Sequence, residues 1–568
     1  MSIPPPPSQP PSGGFGAPQD PPPGGFGAPV PPPGPDAQPA YGYPQTGPGY
    51  GYPQQPGPPP AYGAPGAPGA PGVPGPPVPA PQPPAARAGN DKRTQLTIVG
   101  AALLAVVLIV GGGVWYTSGD SGGGDDKADS NPTAASPSGD NAKGYVPGTE
   151  QAPANTKSKP LANVPSPVPA DVAVVAGSWL TDTTYIKSDL SKVVGYNLVD
   201  GGKKWELPFP GELCGASKHV SDNKAAVIFK AAQPTPENKY VQCTEVGVFD
   251  LESGKLVWSG NAKSATGGDK PVSLTSVTLS GNTVAAAGIS AGGAAWSLAD
   301  GKSLWLPKID NEGCRDVGYA GGEALAAIRK CGQSPNYTLY GQLLDPATGA
   351  PTASYKLSPG IEDANIVATK PLIVAADVGK TAKNATGISD LFVVDPKGEL
   401  KARIPLASGD FGAKCGTEVE KCSNMVVGNG RIYLPSYEHQ GQTSSGRTNE
   451  LLSFDLETGK QTTDRADAGE RFTMSPLRMD GSNIIAYKYP PYDKGGQIVS
   501  IDSRTMKETV LMTNPEDKAS QRAETGFSPD YSEYRYHKGK FFISRMMVSK
   551  PYSAKADPDY LFVSFTAS

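Results

Sequence analysis

The residue types that most often carry chemistry are few in this chain and lie far apart. It has three histidines, His219, His439 and His537, and six cysteines. Metal sites and nucleophile–base pairs need such groups at short, defined spacings, and neither a CxxC pair nor an HExxH or P-loop motif is present. A pair of catalytic carboxylates could come from distant Asp or Glu residues, but no pattern points to one. We therefore predict no catalytic, cofactor-binding or metal-binding residue.

The six cysteines predict disulfide bonds. All of them lie beyond residue 210, and an even number within one region is typical of an oxidising compartment. Pairing of neighbours is one of many connectivities that the sequence allows, and it gives three local bonds. The candidates are Cys214 with Cys243, Cys314 with Cys331, and Cys415 with Cys422. A redox-active pair is the alternative.

Variants of one short phrase recur from residue 196 to residue 511. The clearest copies are YNLVDGGKKW (196–205), FDLESGKLVW (249–258), WSLADGKSLW (296–305) and FDLETGKQTTD (454–464). Weaker copies are LLDPATGAPTASY (343–355), VVDPKGELKARI (393–404) and IDSRTMKETVL (501–511). Self-similarity of this kind indicates a repeat architecture.

Each copy predicts a β-hairpin. A short apolar strand ends at an Asp, which bonds the backbone two residues on, and a Gly supplies the positive φ of the turn. The next strand carries a Trp that we expect to pack between neighbouring repeats. The turn residues are Asp200, Asp250, Gly254, Asp300, Gly301, Asp345, Gly349, Asp395, Gly398, Asp455, Gly459 and Asp502, and the packing residues are Trp205, Trp258 and Trp305.

Apolar runs upstream of the hairpins predict the remaining strands. KAAVIFKAA, NTVAAAGIS and KFFISRMM are examples, rich in the residues of buried strands. Three to four strands per repeat, without a helical period, predict an all-β fold of the β-propeller type. Seven full signatures and an eighth that stops after YLFVSF favour eight blades over seven. The ring then needs a closing strand, for which ADVAVVAG (170–177) is the candidate.

The repeated phrase resembles the PQQ-like (quinoprotein-like) β-propeller repeat. The copies at 249–258, 296–305 and 454–460 carry the resemblance, whereas Lys after the Gly is replaced in DPATGA and DPKGE, and the Gly is absent from DSRTMK. The layout also resembles an actinobacterial type of membrane-anchored propeller, and the repeats resemble the propeller of the outer-membrane assembly lipoprotein.

The resemblance implies two different functions. Quinoprotein dehydrogenases of this fold are enzymes that place a pair of adjacent cysteines over the quinone and bind Ca²⁺ with acidic and Asn residues. The assembly lipoprotein binds protein partners without a quinone. This chain has no adjacent cysteines, so we carry over the architecture and expect no cofactor.

Composition divides the 568 residues into four parts. Residues 1–90, rich in Pro and Gly, predict a disordered tail. The uncharged run at 96–116 has the length of a transmembrane helix, and a linker at 117–165 precedes a propeller at 166–568. Arg87, Lys92 and Arg93 lie before the run and acidic residues after it, which predicts a cytoplasmic N-terminus and an extracytoplasmic propeller.

We therefore expect a single-pass protein of the cell membrane whose propeller binds a protein, peptide or envelope ligand. The net charge of −4 argues against a nucleic-acid partner. The longest insertions, at 231–243, 378–389 and 437–449, are the expected binding surface, and the tail could engage a cytoplasmic partner. A PQQ-dependent oxidoreductase is the alternative, and a purely structural protein is a third hypothesis.

Overall fold

The computed structural model describes residues 145–266, 268–382, 387–442, 446–551 and 559–568. The tail, the apolar run at 96–116 and the linker up to residue 144 lie outside these ranges, so the membrane anchor and the partner of the tail stay predictions. No helix within the described ranges is long and apolar enough to span a membrane.

Eight four-stranded antiparallel sheets form the blades of a β-propeller, so the prediction of eight blades is confirmed. In blades 1 to 7 the strands follow one another in sequence from the axis outward. Two strands precede blade 1: β1 (Lys159–Pro165) and β2 (Ala173–Val174). Blades 1 and 2 consist of β3 (Ser178–Leu180), β4 (Thr184–Asp189), β5 (Lys192–Asn197) and β6 (Lys203–Pro208), and of β7 (Leu213–Ala216), β8 (Lys224–Lys230), β9 (Cys243–Asp250) and β10 (Leu256–Asn261). Blades 3 and 4 consist of β11 (Ser276–Ser280), β12 (Thr283–Gly288), β13 (Gly292–Ser297) and β14 (Ser303–Trp305), and of β15 (Arg315–Ala320), β16 (Leu325–Gln333), β17 (Asn336–Leu344) and β18 (Pro351–Lys356).

The second half of the ring contains longer connections. Blade 5 consists of β19 (Ala364–Thr369), β20 (Leu372–Ala376), β21 (Asp390–Val394) and β22 (Leu400–Pro405), and the short strands β23 (Lys414–Cys415) and β24 (Cys422–Ser423) follow it. Blade 6 consists of β25 (Val426–Gly428), β26 (Arg431–Pro435), β29 (Glu450–Asp455) and β30 (Gln461–Asp467), and β27 (His439–Gln440) and β28 (Arg447–Thr448) lie in its longest connection. Blade 7 consists of β31 (Thr473–Asp480), β32 (Asn483–Tyr489), β33 (Gln497–Ile501) and β34 (Glu508–Thr513), and blade 8 contains β35 (Ser532–His537), β36 (Lys540–Arg545) and β38 (Tyr560–Thr566), with β37 (Met547–Val548) in the connection before β38.

The middle strands are buried on both faces, because each blade packs between two others. All residues of β12 and β21 are buried, and β8 is buried except at its ends. The runs KAAVIFKAA, NTVAAAGIS and KFFISRMM are the second strands of blades 2, 3 and 8. The fourth strands alternate between exposed and half-buried residues, as in β6 and β10. An outer strand therefore needs less apolar sequence than an inner one.

The ring is closed by β1, which is the fourth strand of blade 8. Lys159 pairs with Thr566 and Asn163 with Val563 in an antiparallel ladder. The prediction that residues 170–177 close the ring is wrong, because that segment forms only β2, which pairs with β37. The sequence KPLANVP of β1 contains two prolines, which an edge strand tolerates and which made it read as linker.

The segment before β1 also lies on the propeller. Ser482 N donates to Val146 O (2.7 Å), and Glu150 N donates to a carboxylate oxygen of Asp480 (2.8 Å). The buried carboxylate of Glu150 accepts from Lys538 N (2.9 Å). The propeller unit thus includes residues before 166, and the boundary predicted there is too late.

A buried ion pair joins blade 1 to blade 8. The ammonium of Lys187 on β4 donates to Glu533 Oε2 on β35 (2.9 Å) and to Val175 O (2.6 Å). Burial raises the pKa of Glu533, but the charges of Lys187 and Arg535 outweigh burial and lower its pKa overall. Burial lowers the pKa of Lys187, and its contact with Glu533 opposes that shift. Since both groups are hydrogen-bonded, we treat the pair as ionised.

The tryptophans pack against the turn of the next blade. Trp205 lies on Gly254, Trp258 on Gly301, and Trp305 on Gly349. Gly254 has a φ of 66°, and a Cβ added there would lie 2.3 Å from Trp205 Cδ2. The glycine thus meets two needs, a left-handed backbone and the close approach of an indole ring.

The register of two turns differs from the expectation. Gly254 N donates to Asp250 O (3.0 Å), but Gly201 N and Gly301 N donate to Asn197 O and Ser297 O (both 2.9 Å). Asn197 and Ser297 therefore occupy the position of Asp250. Asp200 and Asp300 lie three residues later, although each still accepts from the backbone N two residues on.

Met506 takes the place of the turn glycine in the copy DSRTMK. It has a φ of 53°, and its N donates to Asp502 O (2.8 Å). Asp345, Asp395, Asp455 and Asp502 each accept from the N two residues on. The missing glycine thus changes the residue type but preserves the turn.

Among the described residues, one α-helix interrupts the all-strand pattern, which the sequence did not predict. Helix α1 (Lys518–Thr525) begins at Asp517, whose side chain accepts from Ala519 N and Ser520 N, and a 3-10 helix (Pro529–Tyr531) follows. Its buried Glu524 accepts from Tyr487 Oη (2.8 Å) and Gly496 N (3.0 Å). The helix therefore fills the long connection between blades 7 and 8.

We expect Gly254→Ala to lower the free energy of unfolding more than Gly430→Ala. Gly430 has a similar φ of 68°, but a Cβ there would have no neighbour within 4 Å. The left-handed backbone costs about 1–2 kcal/mol at either site, and the clash with Trp205 adds about 1–3 kcal/mol at Gly254. Chemical denaturation measures both. Equal losses would contradict the role of the Trp contact.

We expect Lys187→Met to destabilise the protein by about 3–5 kcal/mol, because it leaves the Glu533 carboxylate buried without its partner. Adding Glu533→Gln should restore part of the loss. Lys192→Met is the control, since Lys192 forms a half-exposed pair with Glu206 worth less than about 1 kcal/mol. Denaturation midpoints of the variants provide the comparison. A loss at Lys187 no larger than at Lys192 would argue against the closing role of the pair.

Candidate functional site

The connections between strands divide the propeller into two faces. Connections from second to third strands, and from one blade to the next, lie on one face, which we name the loop face. Connections from first to second and from third to fourth strands lie on the opposite face, the turn face, which carries the repeated Asp turns. This assignment follows from the antiparallel order of the strands.

All three expected insertions lie on the loop face. They connect second to third strands at 231–242 in blade 2, 377–389 in blade 5 and 436–449 in blade 6. Two further long connections of this face, 406–425 and 514–531, join blade 5 to 6 and blade 7 to 8. The sequence did not single these out, because each contains short regular elements.

Exposed apolar side chains concentrate on the loop face. Among the described residues, sixteen large apolar side chains are exposed, of which ten are on this face, three on the turn face and three on fourth strands. All four exposed tyrosines are among the ten, with exposed fractions of 91% for Tyr240 and 82% for Tyr492. The ten are Val168, Val172, Tyr240, Ile289, Leu306, Ile309, Tyr437, Tyr492, Tyr531 and Met547.

The three disulfides brace the same face, and the predicted pairing is confirmed. Cys214 is bonded to Cys243, where the long connection of blade 2 ends. The bond between Cys314 and Cys331 ties the start of β15 to the loop-face end of β16. The third bond joins Cys415 to Cys422. Covalent bonds therefore stiffen the face that carries the exposed tyrosines.

The connection between blades 5 and 6 reaches into the axis of the propeller. Residues Lys414–Ser423 form a hairpin, named here the axial hairpin, from β23 and β24. Its base is held by Lys414, which pairs with Asp530 (2.5 Å). Its tip meets the first strand of blade 5, where Ile366 N donates to Val419 O (2.7 Å). The side chain of Val419 is buried against blades 4 and 5.

The tip of the axial hairpin also reaches blades 2 and 4. Glu420 accepts from Gly321 N (2.9 Å) and lies 2.9 Å from His219 Nε2. Burial raises the pKa of Glu420, but His219 and the backbone N–H more than offset it, so the pKa is lowered. A cavity of about 350 Å³ beside Glu420 is lined by Lys218, His219, Thr369 and Lys370, among other residues.

A groove of about 440 Å³ lies between the loop-face connections of blades 6 and 7. Its walls include Arg447, Tyr489, Pro491 and Tyr492. Both Nη atoms of Arg471 donate to Asp493 (2.9 Å each), and the guanidinium lies 5.6 Å from the ring centre of Tyr492. The groove thus presents aromatic and aliphatic rings with a fixed guanidinium at its side.

His439 ties the start of the long connection of blade 6 to Glu450 on β29. Its Nδ1 faces Gln440 O (3.1 Å) and its Nε2 faces Glu450 (3.2 Å), so both ring nitrogens point at acceptors. The contact with Gln440 O, followed by that with Glu450, raises the pKa of His439. A raised pKa means that the protonated ring stabilises this connection.

The residues do not fit a Ca²⁺-bound quinone. The described residues contain no group of three or more His, Cys, Asp or Glu that could ligate a metal. Each cysteine is bonded to a partner at least 7 residues away in the chain, so none of the three bonds joins adjacent cysteines. Two of the possible ligands beside the axial cavity, Glu420 and His219, are bonded to each other.

One motif that is known from the nucleophile elbow of hydrolases was overlooked in the sequence. The residues at 288–292 read Gly-Ile-Ser-Ala-Gly, a GxSxG pattern. A nucleophile elbow needs a strand followed by a helix, whereas these residues connect β12 to β13 on the loop face. Ser290 lies exposed in this hairpin turn.

These features define an eight-bladed β-propeller whose repeats resemble the PQQ-like repeat. Residues 242–521, just under half of the chain, match the family described as outer membrane protein assembly factor BamB. No curated protein matches the chain by sequence.

Solved structures with related folds are remote. BamB from Moraxella catarrhalis is 11% identical with a TM-score of 0.36, over 70% of this chain and 99% of that one. A europium-containing methanol dehydrogenase is 11% identical with a TM-score of 0.39, over 74% and 95% of the two chains. The computationally designed Ika8 protein is 9% identical with a TM-score of 0.42, over 72% and 100%. These similarities say nothing about function.

We expect Glu450→Gln to lower the pKa of His439 toward its ordinary value, because one acceptor loses its charge. NMR titration of the ring measures it. Glu438→Gln is the control in the same connection, since Glu438 pairs with Arg447 and this variant should leave the pKa of His439 unchanged.

We also expect the stability of this connection to depend on pH. Because the pKa of His439 is raised in the folded state, the stabilisation by the protonated ring is present below the ordinary pKa of His and is lost as pH rises through the raised pKa. Proteolysis within 436–449 should therefore increase over that range, and an unchanged rate would contradict the fixing role of His439.

Proposed function

We propose that the propeller binds a protein or peptide through its loop face. The concentration of exposed tyrosines and aliphatic residues on this face carries the proposal, because aromatic residues dominate the energetics of protein interfaces. The groove beside Tyr492 offers a place for a partner side chain. The disulfides support rigid binding, since less conformational freedom is lost when a braced surface is covered.

The matching family supports a protein partner, because its description names an assembly factor. The three disulfides support an extracytoplasmic site, where such bonds persist. The apolar run at 96–116 would anchor this propeller to the membrane. The proposed protein is therefore an anchored binding module of the cell envelope.

Cross-linking of the full-length protein tests the proposal. Specific envelope proteins should be enriched over those captured by an unrelated secreted propeller. Replacing Tyr240, Tyr492 and Tyr531 with Ser should reduce the enrichment about 10-fold or more, as expected when several aromatic anchors of about 1–2 kcal/mol are lost. Val199→Ser with Val220→Ser, two exposed residues of the turn face, is the control. Equal loss in both variants, or no enrichment by the wild type, would refute the proposal.

A titration with PQQ and Ca²⁺ tests the enzyme alternative. Because the cysteines and the axial donors do not fit a quinone site, we expect no saturable change in quinone absorbance or fluorescence. Saturable binding together with dye-linked oxidation of an alcohol or a sugar would replace the binding proposal with a quinoprotein dehydrogenase.

A further inference from the structure

We propose that the axial hairpin is a plug whose seating depends on the Cys415–Cys422 disulfide, so that a dithiol reductant opens the axis of the propeller. This proposal does not rest on the partner of the loop face. It assigns the third disulfide a role different from that of the other two.

The hairpin has little backbone pairing of its own. Its ladder consists of two residue pairs, Lys414 with Ser423 and Cys415 with Cys422, and one further bond from Gly416 N to Lys421 O (2.6 Å) continues it toward the tip. Two-stranded hairpins are marginal in water even when they are longer. The disulfide crosses this short ladder directly and keeps the two arms together.

The other two disulfides join strands that the blades already hold. Cys214 and Cys243 lie on β7 and β9, the two strands that flank β8 in blade 2. Cys331 lies on β16, within the nine-residue ladder that pairs β16 with β17. Breaking these bonds would leave the blade sheets in place, whereas breaking Cys415–Cys422 leaves the plug held by hydrogen bonds, one ion pair and side-chain packing alone.

The seated plug fills the space between blades. Val419 occupies the room beside Gly318 of blade 4, where an added Cβ would lie 2.4 Å from Val419 Cγ2. Asn365 Nδ2 donates to Gly416 O (3.0 Å) and to Glu418 O (2.7 Å). Withdrawal of the tip would therefore extend the cavity beside Glu420 along the axis and expose apolar residues of blades 4 and 5.

The exchange reaction balances with a dithiol. One thiolate of the reductant attacks Cys422 Sγ, since Cys422 is half-buried while Cys415 is buried. The S–S bond breaks, and Cys415 leaves as a thiolate that takes up a proton. The second thiol of the reductant then displaces Cys422. The products are two cysteine thiols and the oxidised, cyclic reductant.

Hydrogen exchange at two amides reports the seating of the plug. Ile366 N donates to Val419 O and Gly321 N donates to Glu420 Oε1, so both amides are protected only while the tip is seated. In the full-length variant Cys415→Ser with Cys422→Ser, exchange of the peptides that contain these amides should accelerate on the order of tens-fold, from the loop-closure entropy of a short loop. Cys214→Ser with Cys243→Ser is the matched control, since this bond closes a loop that contains neither amide, and it should leave both peptides unchanged.

Unchanged exchange in the Cys415/Cys422 variant would overturn the proposal, and so would acceleration spread over all blades. If that variant does not fold, wild-type protein is treated with increasing dithiol, and alkylation with peptide mapping follows each pair. Faster exchange at Ile366 and Gly321 once the 415–422 pair alone is alkylated supports the plug. Unchanged exchange once the pair is open counts against it.

Discussion

Burial of the middle strands on both faces is the constraint on which this structure depends. A strand such as β12, with every residue buried, cannot be satisfied by one neighbouring sheet. Each blade needs a partner on both sides, so the sheets must form a closed ring. The ladder between β1 and β38 and the pair of Lys187 with Glu533 exist because the first and last blades have the same need as the others.

Contact between neighbouring blades is set by small features of the repeat. The indole of Trp205 fits against Gly254 only because the glycine has no side chain. In blades 4 and 5, Ala353 and Ala402 occupy the position of the Trp. The turn glycines of the following blades, Gly398 and Gly459, therefore contact backbone atoms of Ser354 and Arg403 instead of an indole ring. The ring therefore tolerates sequence change in the repeat while it keeps the turn itself. What distinguishes this propeller from others must lie outside the repeats, in connections of unequal length.

The sequence was most informative where structure depends on local chemistry. Turn residues, buried second strands and the number of repeats follow from patterns of a few residues, and neighbouring cysteines paired because each pair lies within one blade or one hairpin. Features that depend on distant contacts could not be read in this way. The closing strand KPLANVP looks like linker until β38 is beside it, and the contact between Glu420 and His219 joins residues from blades far apart in the chain. The positions of Asn197 and Ser297 were missed because Asp200 and Asp300 imitate the expected side chain three residues later.

The pairing of β1 with β38 also fixes the order of events during synthesis. β1 is the first strand of the propeller to be made and β38 is the last, so the outer strand β1 has no partner in blade 8 until β38 has left the ribosome. Until then blades 1 to 7 form an open arc, with apolar surface of blade 1 uncovered at one end. Without β38 that surface stays uncovered, which makes this strand as important for the solubility of the propeller as any residue of its core.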